Sequence, residues 1–293
     1  MPLVERRKIT ARSSERKRQP ERLTREEHII EGLSPLLNLM IKAVRKASRG
    51  ILRDFGEVTN LQISSKTPGD FVSNTDTYVE KILKETLLEV YPDYGVYCEE
   101  SGHIEPKNGS DCVWIIDPID GTINFIHAIP YFAISVALLK GDDIVASVVY
   151  NPVSNEMYYA EKGKGAFALM PTGVVRLRAS GRKKMDTALI GSNALSDPKS
   201  FGLISKVLNH VSSVRYTGSI ALGLVEVAAG KFEGYITAQF NVWDIAAGML
   251  LVKEAGGSIT SLGGDKILVD ILENKTLVVS NIHLKEKILS LLK

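Results

Sequence analysis

The chain has 293 residues, with 36 basic against 34 acidic side chains, a formal net charge of +2, and 44% hydrophobic and 24% charged residues. Those proportions exclude a disordered, collagenous or acidic-tail protein, and no apolar run approaches the ~20 residues of a membrane helix. Cys98 and Cys112 are too few for a disulfide framework and lack metal-type spacing, so they read as small buried thiols in a reducing, cytoplasmic setting.

Residues 1–23 carry Arg6, Arg7, Lys8, Arg12, Arg16, Lys17, Arg18 and Arg22 against Glu5, Glu15 and Glu21, with few aromatic or β-branched side chains. No apolar stretch follows that would make this a secretory signal. A basic arm can meet nucleic acid or acidic lipid, but the reading preferred here is a solvated, disordered extension. From residue 24 the pattern turns globular. Ile29, Leu33, Leu36, Leu37, Met40, Ile41 and Val44 repeat at helical spacing over 24–54, with Gly56 as a stop. Asn74-Thr75-Asp76 opens a second helix that runs through Val79, Leu83 and Leu87 to Val90. Strands are expected at 95–98, 112–116, 131–139, 144–150 and 156–160, with loops marked by Gly163, Gly165 and Pro171. Beyond them, strands at 188–191, 234–237, 258–260 and 276–280 alternate with helices at 199–211, 220–229, 245–255 and 284–292. The organisation read from this is an extension (1–23), a sheet-rich half with two long helices (24–180) and an α/β half (181–293).

The chemistry concentrates in Trp114-Ile-Ile-Asp117-Pro118-Ile119-Asp120-Gly121-Thr122-Ile-Asn124-Phe125. A buried strand ends on Asp117, Pro118 fixes a turn, and Asp120 follows before Gly-Thr opens a helix. Carboxylates take hard divalent cations through oxygen, and free amides at a helix start suit phosphate. Glu99-Glu100 follow another strand, while Asp76 and Asp244 each stand where a helix begins, a position that also suits a plain cap. Acids converging without cations would repel one another and resist desolvation. Two or three Mg²⁺ ions make such a cluster favourable, and two-metal sites recur in phosphoester hydrolysis.

These residues resemble the inositol monophosphatase family, within the Mg²⁺-dependent, lithium-sensitive phosphatases that include fructose-1,6-bisphosphatase. Trp114–Phe125 with Pro130 and Ser135 matches one signature, and Val242-Trp243-Asp244 through Gly248 to Glu254–Gly257 matches another. Lys66, Asp70, Asp76 and Glu99-Glu100-Ser101 stand in the expected order upstream. The resemblance implies an α/β (α+β) fold layered as an αβαβα sandwich, a homodimer, and hydrolysis of a phosphate monoester. It assigns Glu99, Asp117, Thr122 and the carbonyl of Ile119 to one metal ion. Asp117, Asp120 and Asp244 go to a second, and Asp76 with Glu99 to a weaker third. The nucleophilic water would lie near Glu99 and Thr122, and the amides of Gly121 and Thr122 would hold the phosphate. Gly218, Ser219 and Ile220 would line the alcohol side, with Asp120 and Asp244 also meeting substrate. Members that grip inositol carry an acid seven residues before the position of Asp244; here it is Thr237, which can bind one hydroxyl without offering a carboxylate. The reading is a phosphatase acting on inositol-1-phosphate. The alternatives are a fructose-1,6-bisphosphatase or nucleotide 3′-phosphatase activity, or an additional role in binding RNA or protein.

Overall fold

The computed structural model describes residues 32–61, 68–193, 198–262 and 276–293, without the side chains of 58–61 and 68–73. The basic extension and Lys66 lie outside the described residues, as does the side chain of Asp70. Helix α1 (Pro35–Leu61) turns Leu37, Met40, Ile41, Val44 and Ile51 inward at helical spacing. Its start is set by Pro35, whose fixed φ suits a first helical position, and by Ser34, whose Oγ accepts from the amide of Leu37 at 3.2 Å. The expected stop at Gly56 does not occur. A mid-helix glycine costs about 1 kcal/mol, and each buried Leu or Ile on the inner face contributes about 1.5–3 kcal/mol.

Helix α2 spans Pro68–Val90, so it opens earlier than Asn74 and carries Asp76 in its interior. Strands β1 (Gly95–Cys98), β2 (Gly102–Ile104) and β3 (Cys112–Asp120) precede the short helix α3 (Thr122–Ile126). Strands β4 (Ala133–Lys140), β5 (Asp143–Asn151), β6 (Glu156–Glu161), β7 (Gly165–Met170) and β8 (Gly173–Arg176) follow. These make an eight-stranded sheet in the order β2-β1-β3-β4-β5-β6-β7-β8. Only β1 and β3 pair in parallel; the other neighbours are antiparallel.

The remaining strands are β9 (Leu189–Ser192), β10 (Ser213–Tyr216), β11 (Gly234–Thr237), β12 (Gly257–Thr260) and β13 (Leu277–Asn281). They form a five-stranded sheet in the order β10-β9-β11-β13-β12. Helices α4 (Pro198–Leu208), α5 (Ile220–Ala228) and α6 (Val242–Glu254) intervene, and α7 (Lys285–Leu292) follows β13. Helices α1 and α2 cover the outer face of the large sheet. Helices α5 and α6 lie between the two sheets, and α4 and α7 cover the far face of the smaller one. Helix, sheet, helix, sheet, helix is the αβαβα sandwich expected.

Period-two alternation explains why the smaller sheet is apolar on both faces. Tyr235, Leu277 and Val279 point into the core shared with α5 and α6. Their neighbours Ile236 and Val278 point the other way, against Leu203, Ile204 and Ile288 of α4 and α7. Ser34–Lys293 form one compact unit. No described helix is long and apolar enough to cross a membrane.

Candidate active site

Asp117 and Asp120 lie three apart on β3, which in a regular strand would send them to opposite faces. The β3–β4 register shifts between them: Asp117 pairs with Ser135, but Asp120 pairs with Ala133. That irregularity spans Pro118 and Ile119, and Pro118 has no amide to give the ladder. One extra residue restores a common face, and oxygens of Asp117, Asp120 and Asp244 lie within 4.8 Å of one another.

Asp244 reaches the cluster from α6. The helix begins at Val242, three residues earlier than the expected 245, so Asp244 sits in its first turn and Oδ2 accepts from the amide of Asn241 at 2.6 Å. Asp120 meets the start of α5. Its Oδ1 accepts from the Ile220 amide at 3.1 Å, and its Oδ2 accepts from the Ala221 amide at 2.8 Å and from the Ser219 hydroxyl. The two middle-layer helices thus bring their positive ends to the same cluster, α5 to Asp120 and α6 to Asp244.

The cluster opens on a cavity of ≈520 Å³ whose lining includes Glu99, Asp117, Ile119, Asp120, Gly121, Thr122, Gly218, Ile220 and Asp244. The hydroxyl of Thr122 donates to the Ile119 carbonyl at 3.0 Å, which places those two expected ligands side by side. Gly121 adopts φ +99 to turn the chain from strand into helix, and Gly218 adopts φ +77 on the opposite wall.

Three expected residues fall elsewhere. Ser219 is buried behind the lining, capping α5 through the Leu222 amide at 3.2 Å and bonding Asp120. Asp76 lies inside α2 rather than at its cap, buried and outside the lining, where the charges of Glu100, Glu99 and Glu80 act on it. Thr237 is the clear correction. It is fully enclosed in β11, and its hydroxyl donates to the Gln239 carbonyl at 3.1 Å while accepting the Gln239 amide at 3.3 Å. A short β-branched side chain finds its partners in its own turn and never reaches the cavity. Gln239 lines the wall instead, with Asn193, Tyr216 and Asn241.

The sequence reading also missed Glu80. This buried residue of α2 accepts from the amides of Glu100 at 2.9 Å and Ser101 at 3.2 Å, and pairs with Lys84 at 3.0 Å, shaping the turn that presents Glu99. The signal was available: an acid four residues after Asp76, within the apolar face of Val79, Leu83 and Leu87. Asn193, Tyr216, Gln239 and Asn241 left no comparable mark, because residues in loops or at the end of a strand reach a cavity only through tertiary structure.

The electrostatics are those of crowded anions. Burial first, then Asp120, Glu99, Asp244 and Asp76, hold the Asp117 carboxyl well above the ordinary carboxylate range. Burial, with Glu100, Glu99 and Glu80, pushes Asp76 up to about 8. Asp120 rises to about 6 through burial, restrained by its bonds to Ser219 and the α5 amides. Glu99 is raised by desolvation and opposed by its hydrogen bond with Asp117. No lysine or arginine lines the cavity among the described residues. Asp76 Oδ1 and Asp117 Oδ1 are buried without hydrogen-bond partners. Unpartnered carboxylate oxygens in an all-oxygen donor set fit a hard divalent cation, which would answer both the repulsion and the missing bonds.

A model of the family described as the inositol monophosphatase family matches residues 32–293. The chain is 42% identical over 260 residues to an inositol-1-monophosphatase of Caulobacter vibrioides, covering 87% of this chain and 99% of that one. It is 37% identical to the Nus factor SuhB of Escherichia coli K12, over 79% of this chain and 87% of the relative. The crystal structure of the extragenic suppressor protein suhB from Bartonella henselae superposes with a TM-score of 0.78 at 39% identity, over 89% of this chain and 99% of that one.

Proposed function

Because the chain belongs to the inositol monophosphatase family, and is a metal-dependent phosphatase, we propose that it hydrolyses inositol-1-phosphate or a related polyol monophosphate with Mg²⁺ as its ion. The observation that carries the reading is the carboxylate trio whose oxygens lie within 4.8 Å, facing a cavity of small-molecule size. Asp117, Asp120 and Asp244 would hold one ion, Asp117 being shared with a second whose other ligands are Glu99, Thr122 and the Ile119 carbonyl. Asp76 and Glu99 are the proposed supports of a third. When bound, such ions lower the pKa of water and neutralise charge on the phosphoryl and leaving oxygens.

The chain's own residues supply orientation. Glu99 stands at the cavity and, once ionised, can accept a proton from water held near the Thr122 hydroxyl. The proposed phosphate seat is formed by the Gly121 and Thr122 amides. The alcohol of the substrate would lie toward Gly218, Ile220, Gln239 and Asn241, where amide groups offer hydrogen bonds without charge. That neutral wall supports broad recognition of polyols.

The test is phosphate release from a panel of inositol-1-phosphate, glycerol-2-phosphate, fructose-1,6-bisphosphate and nucleoside 2′-, 3′- and 5′-monophosphates, with Mg²⁺ and then added Li⁺. Mg²⁺-dependent release from inositol-1-phosphate, inhibited by Li⁺, is expected. Release confined to fructose-1,6-bisphosphate or to a nucleoside 3′-phosphate would replace the proposed substrate by that one. The relatives titled Nus factor SuhB favour a second, additional role in nucleic-acid association. Binding of RNA that weakens steeply with salt and depends on residues 1–23 would establish it.

A further inference from the structure

Asn124 was part of the sequence signature but carried no role in it. It is buried, lines the cavity, and sits on α3 immediately after the Gly121–Thr122 turn. Its Nδ2 donates to the carbonyl of Tyr131 at 2.7 Å and to the carbonyl of Thr217, 93 residues away, at 2.9 Å. Both amide hydrogens are thereby committed to the main chain.

The space around this group is closed. A Cβ on Gly218 would lie 2.8 Å from both Nδ2 and Oδ1 of Asn124. A Cβ on Gly121 would lie 3.2 Å from the Gly218 carbonyl oxygen. At the base of the cavity one wall, Asp120–Thr122, therefore comes close to the other, Thr217–Ile220, through Gly121 and Gly218, and the Asn124 carboxamide packs against Gly218. The second tie between these walls runs from Asp120 to the Ile220 and Ala221 amides. Asp120 carries charge and is a proposed ion ligand, so that tie changes with what the carboxylate holds. The Asn124 tie is neutral and independent of it.

We propose that Asn124 is a positioning residue of the cleft: its hydrogen bond to the Thr217 carbonyl, braced by the one to the Tyr131 carbonyl, fixes the separation of the walls between which the phosphoryl group and its alcohol are held. The proposal rests on the reading of the cleft as a phosphomonoester site. With both amide hydrogens held by main-chain carbonyls, Asn124 acts through the backbone of Thr217 and Tyr131.

The experiment compares the full-length protein with Asn124→Leu, which keeps the volume but offers no donor, and with Asn124→Ser, which is smaller and keeps one. Steady-state constants, the inhibition constant of inorganic phosphate and the Mg²⁺ concentration for half activation are measured for each. Loss of the tie should raise KM and the phosphate inhibition constant together by about tenfold, with Mg²⁺ activation within about twofold of native. The serine variant should fall between native and leucine, and it alone decides the matter if the leucine variant does not fold. A drop in kcat with KM and phosphate inhibition unchanged would show a purely structural role and overturn the proposal. If the native protein releases phosphate from no ester, the functional reading fails by itself. The inference is then judged by calorimetry with inorganic phosphate and Mg²⁺, where equal affinity of native and leucine proteins overturns it.

Discussion

Asp117 Oδ1 is enclosed, carries no hydrogen bond, and faces the charges of Asp120, Glu99, Asp244 and Asp76. Asp117→Asn removes a charge that only an ion can compensate. Turnover should fall by about a hundredfold or more, while the metal-free protein melts no lower than native, because one source of repulsion is gone. Turnover within about tenfold of native at saturating Mg²⁺ would remove Asp117 from the chemistry. At the opposite wall, Thr237 is turned away from the cavity and Gln239 lines it, so Gln239 is the proposed acceptor for a substrate hydroxyl. A neutral hydrogen bond is worth about 0.5–1.5 kcal/mol, so Gln239→Ala should raise KM for inositol-1-phosphate by about two- to tenfold. It should leave KM for a small monoester such as glycerol-2-phosphate nearly unchanged, and equal effects on both substrates would place Gln239 outside recognition. Thr237→Glu, by contrast, would put an acid where the native side chain has no exposure, and loss of stability is the expected result.

Among the elements, α2 does the most to shape the acidic cluster without contributing to the cavity lining. Its Glu80 holds the amides of Glu100 and Ser101 and pairs with Lys84, and so sets how Glu99 is presented. Glu80→Gln should raise the Mg²⁺ concentration for half activation by about tenfold with kcat at saturating Mg²⁺ close to native. An unchanged Mg²⁺ requirement would leave Glu80 a stability residue only. Elements of this kind were partly legible in the sequence. The helical period of α1, α2, α5 and α6 and the apolar runs of β3 to β6 announced themselves, because each buries a face whose pattern is local. Strand β7 did not. Its Gly-Ala-Phe-Ala-Leu-Met is no stronger as strand than as helix, and pairing with β6 and β8 decides it. Strand β8 leaves Val174 and Val175 exposed, so its alternation gives no inner face to read. The acids of the site were legible as a motif. The Asp76 position was misjudged because Asn-Thr-Asp mimics a helix start in the middle of a helix that Pro68 had already begun.

For the whole molecule, the middle layer of α5 and α6 is the common floor of both sheets. Removing its contacts would expose both sheets at once, so chemical unfolding of Ser34–Lys293 should be a single transition by fluorescence and circular dichroism. The acids make that transition depend on pH. Their folded pKa values lie above the ordinary range, about 8 for Asp76 against 3.8 and about 6 for Asp120. Between about pH 4 and 8 the folded state therefore binds more protons than the unfolded one, and stability falls as pH rises through that window. In chelator, the melting temperature should drop by about 5 °C or more from pH 5 to pH 8. Saturating Mg²⁺ should reverse the slope, since ions replace protons as the compensating charge. A melting temperature that rises with pH in chelator would contradict the buried-acid account.

The register shift in β3 has a genetic consequence. A regular Asp-X-Asp strand would also put two carboxylates on one face, but it would commit the carbonyl between them to the neighbouring strand. The extra residue frees a main-chain oxygen, that of Ile119, to meet Thr122 beside the acids. No codon change at position 119 can delete that oxygen. Among the proposed ion ligands it is the one immune to substitution and open to loss only by insertion or deletion. Drift at this spot is therefore filtered by reading length more than by residue type, and a single inserted codon between Asp117 and Asp120 should be as damaging as losing either acid.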